Sequence, residues 1–215
     1  MRGGFFMARK RVILPKRLSR PTICRMRRLA AWLFSAALFA LLSAPALLSG
    51  PARAAEGEAL DVLFDKLYET ENPIEARQIE RKIWEAWSHS GSDTIDSLLA
   101  SGTQVMNDGD YSRAAAIFSE MIDLKPDFAE AYNKRATTYF LAGRYAASVA
   151  DVERALKLEP RHFGALSGLG LMMERLDNLP EAIRAYQRAL AANPHMPELP
   201  ERLKDLRRKQ DAREL

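Results

Sequence analysis

The chain has 215 residues, of which 47% are hydrophobic and 28% are charged, and its formal net charge is +4. This composition excludes a fully disordered chain. The single cysteine, Cys24, excludes an intramolecular disulfide framework and a cysteine-rich zinc module.

The positive charge is concentrated in the amino-terminal quarter of the chain. Residues 1–54 contain eleven Lys and Arg and no Asp or Glu, whereas the rest of the chain contains 21 Lys and Arg against 28 Asp and Glu, a net charge of −7. The basic cluster at 207–209 is typical of a solvated helix end. A nucleic-acid partner would need a larger basic surface with aromatic side chains, so the sequence predicts no such partner.

Residues 1–54 have the pattern of a secretory signal peptide. A basic segment is followed by an apolar run over 29–48, a helix-breaking Gly-Pro pair, and a site with small residues at Ala52 and Ala54. The pattern predicts cleavage after Ala54 and export to the periplasm of a bacterium.

The apolar run over 29–48 leaves a second interpretation open. It is about as long as the roughly 20 residues that a membrane-spanning helix needs. If it were retained, the protein would be an assembly factor anchored in the inner membrane. Pro45 and the Gly50-Pro51 pair favour cleavage, because they break a helix just before the predicted cleavage site. The start of translation also stays open among three methionines: Met1, Met7 and Met26.

Residues 55–94 are predicted to form a pair of helices, over 58–71 and 73–89. Each segment has large apolar residues at helical spacing. These residues are Leu60, Leu63, Phe64 and Leu67 in the first segment and Ile79, Ile83, Trp84 and Trp87 in the second. Tyr68 stands where the repeats that follow have Gly or Ala, so the pair is interpreted as a degenerate repeat or an amino-terminal cap.

From residue 95 onward the sequence repeats itself at an interval of 34 positions. Two sets of residues follow this interval: Pro126, Pro160 and Pro194, and Gly109, Gly143 and Asp177. Each proline is expected to end a helix, because it lacks an amide hydrogen and disfavours the helical conformation of the residue before it. A fixed period of this length is typical of a stacked array of repeats.

These units resemble the tetratricopeptide repeat, a pair of antiparallel helices with the same period. The resemblance assigns three units to 95–128, 129–162 and 163–196. Within each unit a large apolar residue precedes a small one by four positions: Leu98 and Gly102, Tyr132 and Ala136, Leu166 and Gly170. The resemblance implies an all-α superhelix, or solenoid, that follows the helix pair and ends in a capping helix within 197–215.

Polar residues near the unit boundaries have simple predicted roles. Asp127 and Asn178 are expected to cap helix amino termini, the first together with Glu130. His162 and His195 fall in turns between units, where solvent exposure is the expected reason for a polar residue. No metal-ligand spacing, phosphate-binding loop or nucleophile motif is found. The sequence therefore predicts no enzymatic activity, no metal and no cofactor.

The resemblance also implies where a partner binds. In tetratricopeptide proteins the first helices of successive units line a concave groove that takes an extended or helical peptide. The corresponding positions here are a mixture of apolar and polar residues: Leu99, Thr103 and Met106 in unit 1; Glu130, Asn133, Thr137 and Phe140 in unit 2; Ser167, Leu171 and Glu174 in unit 3. Asp96 and Gly164 belong to the same face.

Some members of this family hold a terminal carboxylate with Asn and basic residues in the groove. Leu99, Thr103, Gly164 and Gly168 stand where such a clamp needs polar or basic side chains. Capture of an acidic chaperone tail is therefore not expected. The sequence predicts a scaffold that binds an unidentified protein or peptide.

Overall fold

The computed structural model describes the backbone of residues 51–213 and the side chains of residues 59–213. Most of the predicted signal segment lies outside these residues, as does the alternative anchor over 29–48. Helix α1 begins at Pro51, so the predicted cleavage residues Ala52 and Ala54 lie in its first turn. No helix among the described residues combines the length and the apolar character needed to cross a bilayer.

Residues 51–213 form nine α-helices and no β-strand, which confirms the predicted all-α fold. The helices are α1 (Pro51–Glu69), α2 (Pro73–Ser88), α3 (Asp93–Asn107), α4 (Tyr111–Leu124), α5 (Ala129–Leu141), α6 (Tyr145–Leu158), α7 (Phe163–Arg175), α8 (Leu179–Ala192) and α9 (Leu199–Asp211). Helices α3 and α4 form repeat 1, α5 and α6 form repeat 2, and α7 and α8 form repeat 3.

The turn inside each repeat contains one residue in the left-handed conformation. Gly109, Gly143 and Asp177 have φ angles of 84°, 72° and 59°. Glycine adopts such angles without a Cβ penalty, and aspartate is one of the few other residues that tolerate them. The periodic recurrence of these three positions therefore marks the turn that reverses the chain between paired helices.

Close approach of paired helices depends on small residues in the first helix of a repeat. A Cβ on Gly102 would lie 2.7 Å from Cε1 of Phe118 in α4, and a Cβ on Gly170 would lie 2.5 Å from Cδ1 of Tyr186 in α8. Both rings are buried. Neighbouring repeats then stack with α4 on α5 and α6 on α7, and α9 covers α8 in the same way. The buried apolar residues along this stack form two clusters, and the partly buried Ile122 packs against both.

Helices α1 and α2, residues 51–88, form what is called below the N-terminal hairpin. They pack together around Phe64, Leu67 and Ile83. The sequence predicts that this pair extends the stack as a degenerate repeat or a cap. In the structure α2 lies instead against α5 and α7, the first helices of repeats 2 and 3, and Phe163 of α7 joins the apolar cluster of the hairpin.

Candidate partner-binding groove

The predicted groove positions of repeat 1 are mostly buried. Leu99 and Met106 lie in the apolar cluster of repeat 1 together with Phe118. Thr103 is partly exposed. This end of the predicted groove therefore presents little apolar surface to a partner.

Two predicted groove positions of repeat 2, Glu130 and Asn133, are buried on α5, the helix against which α2 packs. The Glu130 carboxylate, only 1% exposed, accepts hydrogen bonds from Nδ2 of Asn133 at 2.9 Å and from Nε2 of His162 at 3.0 Å. The ammonium of Lys134 lies 3.4 Å from its other oxygen. Burial alone would raise the pKa of the Glu130 carboxyl, but these hydrogen bonds and the ammonium hold that pKa below its ordinary value. Glu130 is thus a buried carboxylate that is ionised at neutral pH. Its contact with His162 replaces the predicted capping role.

His162 is completely buried, so the prediction of a solvent-exposed turn residue is wrong. Its Nδ1 accepts a hydrogen bond from the N–H of Ala165 at 3.2 Å and caps α7. Because Nδ1 accepts, the ring proton is on Nε2, which donates to Glu130. The sequence contained a signal for this burial, since the residues 34 positions away on either side, Phe128 and Met196, are apolar.

Two tryptophans of α2 lie directly on this polar pair and on the start of α7. The ring of Trp87 stacks on the His162 ring, with centroids 4.0 Å apart and planes inclined by 14°. The ring of Trp84 meets Phe163 edge-on at 5.5 Å. A Cβ on Gly164 would lie 2.5 Å from Cη2 of Trp84, so the missing side chain of Gly164 makes room for this ring. Sequence reasoning assigned both tryptophans to the hairpin and missed their place in the groove.

Three polar contacts join the hairpin to the loops before and after repeat 3. The hydrogen bonds are those of Arg161 Nη2 to Asp61 Oδ1 at 2.6 Å, Asn193 Nδ2 to Glu80 Oε1 at 2.6 Å, and His195 Nε2 to the Leu67 carbonyl at 2.9 Å. The last of these satisfies a carbonyl in the final turn of α1 that has no partner within the helix. His195 is therefore half-buried by a specific contact and is not simply a solvated turn residue.

The accessible groove positions lie farther along α5 and α7. Thr137 is exposed, Leu171 is 37% exposed, and Phe140 and Ser167 are half-buried. Glu174, near the end of α7, is held by Nε of Arg202 at 2.7 Å and by the hydroxyl of Tyr186 at 2.8 Å. Burial and the Glu174 carboxylate raise the pKa of the Tyr186 hydroxyl. Glu174 therefore joins α9 to repeat 3 in this structure.

Two cavities flank one strip of α7, which consists of Gly164, Ser167, Gly168 and Leu171 and is called below the α7 strip. A cavity of about 680 Å³ lies between this strip, the hairpin and the segment 193–200. A second cavity of about 430 Å³ lies between the strip and α9. They adjoin at Ser167 and Glu198, which line both. A Cβ on Gly168 would meet no atom within 4 Å, so the middle of the strip is open.

Metal coordination finds no support in the part of the chain that the structure describes, since no three His, Cys, Asp or Glu side chains there are placed to share an ion.

Comparison with known proteins identifies the family. The profile of the tetratricopeptide repeat family matches residues 99–153 and 134–197. A TPR repeat-containing protein of Rhizobium etli is 37% identical over 137 residues, which are 64% of this chain and 67% of that protein. The chain therefore belongs to the tetratricopeptide repeat family.

Further similarities cover a smaller share of this chain. The Hsp70-Hsp90 organizing protein of Triticum aestivum is 30% identical over 99 residues, which are 46% of this chain and 17% of that protein. The first TPR domain of Spaghetti (RPAP3), solved with the HSP90 peptide SRMEEVD, superposes with a TM-score of 0.53 at 24% identity and covers 54% of this chain and 93% of that chain. The structural similarity confirms the helical solenoid fold.

Proposed function

We propose that the chain is a non-enzymatic protein-interaction module, exported to the bacterial periplasm, that binds a protein or peptide partner at the α7 strip. The family supports a binding role, and the solved Spaghetti domain holds a peptide. The observation that carries the proposal is the open concave surface at Ser167, Gly168 and Leu171, with a cavity on either side.

The chemistry of the α7 strip suits a peptide with an apolar anchor. Ser167 and Gly168 have small side chains, so a peptide backbone can lie close to α7 and use hydrogen bonds along its length. Leu171 offers an exposed apolar contact. The second cavity is bordered by charges of both signs, Arg202 and Asp205, which favours neither a strongly acidic nor a strongly basic partner.

An acidic tail such as the HSP90 peptide fits these positions poorly. Leu99 is buried in repeat 1, and Gly168 has no side chain that could donate to a carboxylate. A bidentate or charged donor would be needed to hold such a group. The proposed ligand is therefore an internal peptide or helix of a partner protein.

Export is proposed from the composition of residues 1–54, with retention of 29–48 as an inner-membrane anchor as the alternative. The whole chain has a mass of 24.2 kDa, and residues 1–54 make up about a quarter of its length. Mass spectrometry of the protein from its native host separates the two possibilities. The mass of residues 55–215 alone supports cleavage after Ala54, and the full mass in the membrane fraction supports the anchor.

Capture of partners from an envelope extract tests the binding surface. Gly168→Trp places a large side chain in the open part of the α7 strip, where no atom lies within 4 Å of the new Cβ. We expect this variant to lose a partner that the unmodified protein retains. Leu176→Trp is the matched control, because it adds the same side chain directly after α7, at a residue that is 48% exposed and lines neither cavity. Equal capture by both variants and the unmodified protein would remove the α7 strip as the binding site.

A further inference from the structure

Helix α2 occupies the concave side of the array in the way that a bound helix would. It lies across the first helices of two successive repeats, α5 and α7. It contacts predicted groove positions on α7 through Trp84 at Gly164, and it covers Glu130 of α5 through Trp87 and His162. An amphipathic helix laid into a groove is one of the common modes of peptide recognition.

The face that α2 presents to the array has the character of a binding hot spot. Trp84 fills the space left by the missing side chain of Gly164, and Trp87 stacks on His162. Tryptophan is enriched among the residues that dominate binding energy, because a large apolar ring is buried by one side chain. The surface below α2 is thus shaped for an aromatic anchor on a helix.

The junction between hairpin and array is less well satisfied than the rest of the fold. Among residues 59–213, Nε1 of Trp87 is a buried side-chain nitrogen without a hydrogen-bond partner, and it belongs to this junction. The second such atom, Oε1 of Glu130, faces the ammonium of Lys134 within α5. Buried polar groups are nearly always paired in folded proteins, so the unpaired indole N–H makes this contact costly to keep. One of the three polar contacts, between Asp61 and Arg161, lies in solvent, where an ion pair contributes little.

The chain between the hairpin and repeat 1 is short. Residues 89–92 connect α2 to α3, and the backbone N–H and the hydroxyl of Ser90 donate to the Asp96 carboxylate at the start of α3. A hairpin tethered by so short a segment remains close to the groove after release. Its local concentration is then on the order of millimolar, so a partner displaces it only by binding the groove more tightly than the hairpin does or by reaching a similar concentration.

From these observations we infer that the N-terminal hairpin is a removable cover of the groove on repeats 2 and 3, and that the partner inserts an amphipathic helix with an aromatic anchor in place of α2. This inference deepens the proposed function and rests on it. The covered surface adjoins the α7 strip at Gly164, so a displacing helix would lie next to the open cavities.

A charge substitution that weakens the hairpin contact tests the inference. In Asn193→Asp the new carboxylate faces Glu80, whereas its oxygen can still accept the hydrogen bond from the N–H of His195. Adding Glu80→Lys restores an attractive pair. Both variants are expressed from the whole coding sequence and purified from the envelope. The probe is a fluorescein-labelled synthetic peptide of residues 73–88 that carries Glu80→Gln, so that it meets position 193 without charge repulsion in every protein tested.

Fluorescence anisotropy then compares the affinities. We expect the peptide to bind Asn193→Asp at least about tenfold more tightly than the unmodified protein, and the double variant to return to the unmodified value. The double variant has the same carboxylate at position 193 in the groove, so it separates release of the hairpin from direct attraction by that carboxylate. Equal affinities for all three proteins, or no binding to any of them, overturn the inference.

A second measurement protects the test against a folding defect. Hydrogen exchange should be faster in α2 of Asn193→Asp than in α2 of the unmodified protein, while α5 and α7 stay protected. Faster exchange throughout the array contradicts a removable cover. If the peptide does not bind but host partners are still captured through the α7 strip, the hairpin is not a removable cover and the proposed function stands. Peptide binding without capture of any host partner removes the proposed function instead.

Discussion

Two glycines of helix α7 should respond in opposite ways to the same substitution. A Cβ on Gly170 would lie 2.5 Å from Cδ1 and 2.7 Å from Cζ of Tyr186. That ring is buried and is held at its far end by the hydrogen bond to Glu174, so it has little freedom to move away. A Cβ on Gly168 would meet no atom within 4 Å.

The expected magnitudes follow from two terms. Alanine in place of glycine within a helix stabilises by about 0.5–1 kcal/mol. Overpacking against a fixed neighbour costs about 1–3 kcal/mol. Gly168→Ala should therefore raise the free energy of unfolding by about 0.5–1 kcal/mol, and Gly170→Ala should lower it by about 1–2 kcal/mol.

Urea unfolding followed by circular dichroism measures both changes. The comparison is valid where the slopes of the transitions agree, since repeat arrays do not always unfold in a single step. A stabilising Gly170→Ala would refute the close approach of α7 and α8 at Tyr186. A destabilising Gly168→Ala would refute the open surface on which the proposed binding site depends.

Two further predictions concern buried charges. The folded-state pKa of Glu130 lies below its unfolded value, so its stabilising effect is complete at neutral pH and is lost as the pH falls through the folded pKa. Glu130→Gln should be less stable than the unmodified protein at pH 7 by about 1–3 kcal/mol. It should also lose less further stability on acidification, which urea unfolding between pH 7 and pH 3 measures. Equal loss of stability in both proteins would contradict an ionised Glu130. Arg135 donates from Nε and Nη2 to both Asp151 oxygens at 2.7 Å and from Nη1 to Ser119 of the preceding repeat at 2.9 Å. Arg135→Met leaves the buried Asp151 without its cation and should lower the free energy of unfolding by about 3 kcal/mol in the same urea assay. A loss below about 1 kcal/mol would mean that this pair contributes no more than an ordinary surface ion pair.

The repeat array could be predicted from sequence because its determinants are local and periodic. Gly102 and Gly170 mark the contact between the helices of one repeat, and Gly109, Gly143 and Asp177 mark the turn between them. Each of these relations lies within a single repeat. The pattern therefore predicts every helix pair and the order in which the pairs stack.

The position of the hairpin could not be predicted by the same reasoning. Periodicity indicates which face of α2 is apolar, but it does not indicate which surface that face meets. The contact that decides the matter joins Trp84 to Gly164, 80 positions away in the chain. As a result, the sequence correctly places Glu130 and Asn133 on the first helix of repeat 2 but not beneath another helix.

The burial of His162 could have been predicted from the repeat itself. The residue at the corresponding place is Phe128 before repeat 2 and Met196 after repeat 3, so the period predicts an apolar environment for His162. Its partner, Glu130, lies near the start of the same unit, 129–162. A histidine at a position that is apolar in the other repeats is therefore a signal of a specific buried contact.

Site-specific photo-crosslinking in the native host tests whether a partner binds at the α7 strip. A benzoylphenylalanine placed at position 168 lies in the open part of the strip, and the same residue at position 176, directly after α7, serves as the control. We expect a specific crosslinked protein from position 168 and none from position 176. A crosslink from position 176 alone, or the same products from both positions, would contradict binding at the α7 strip.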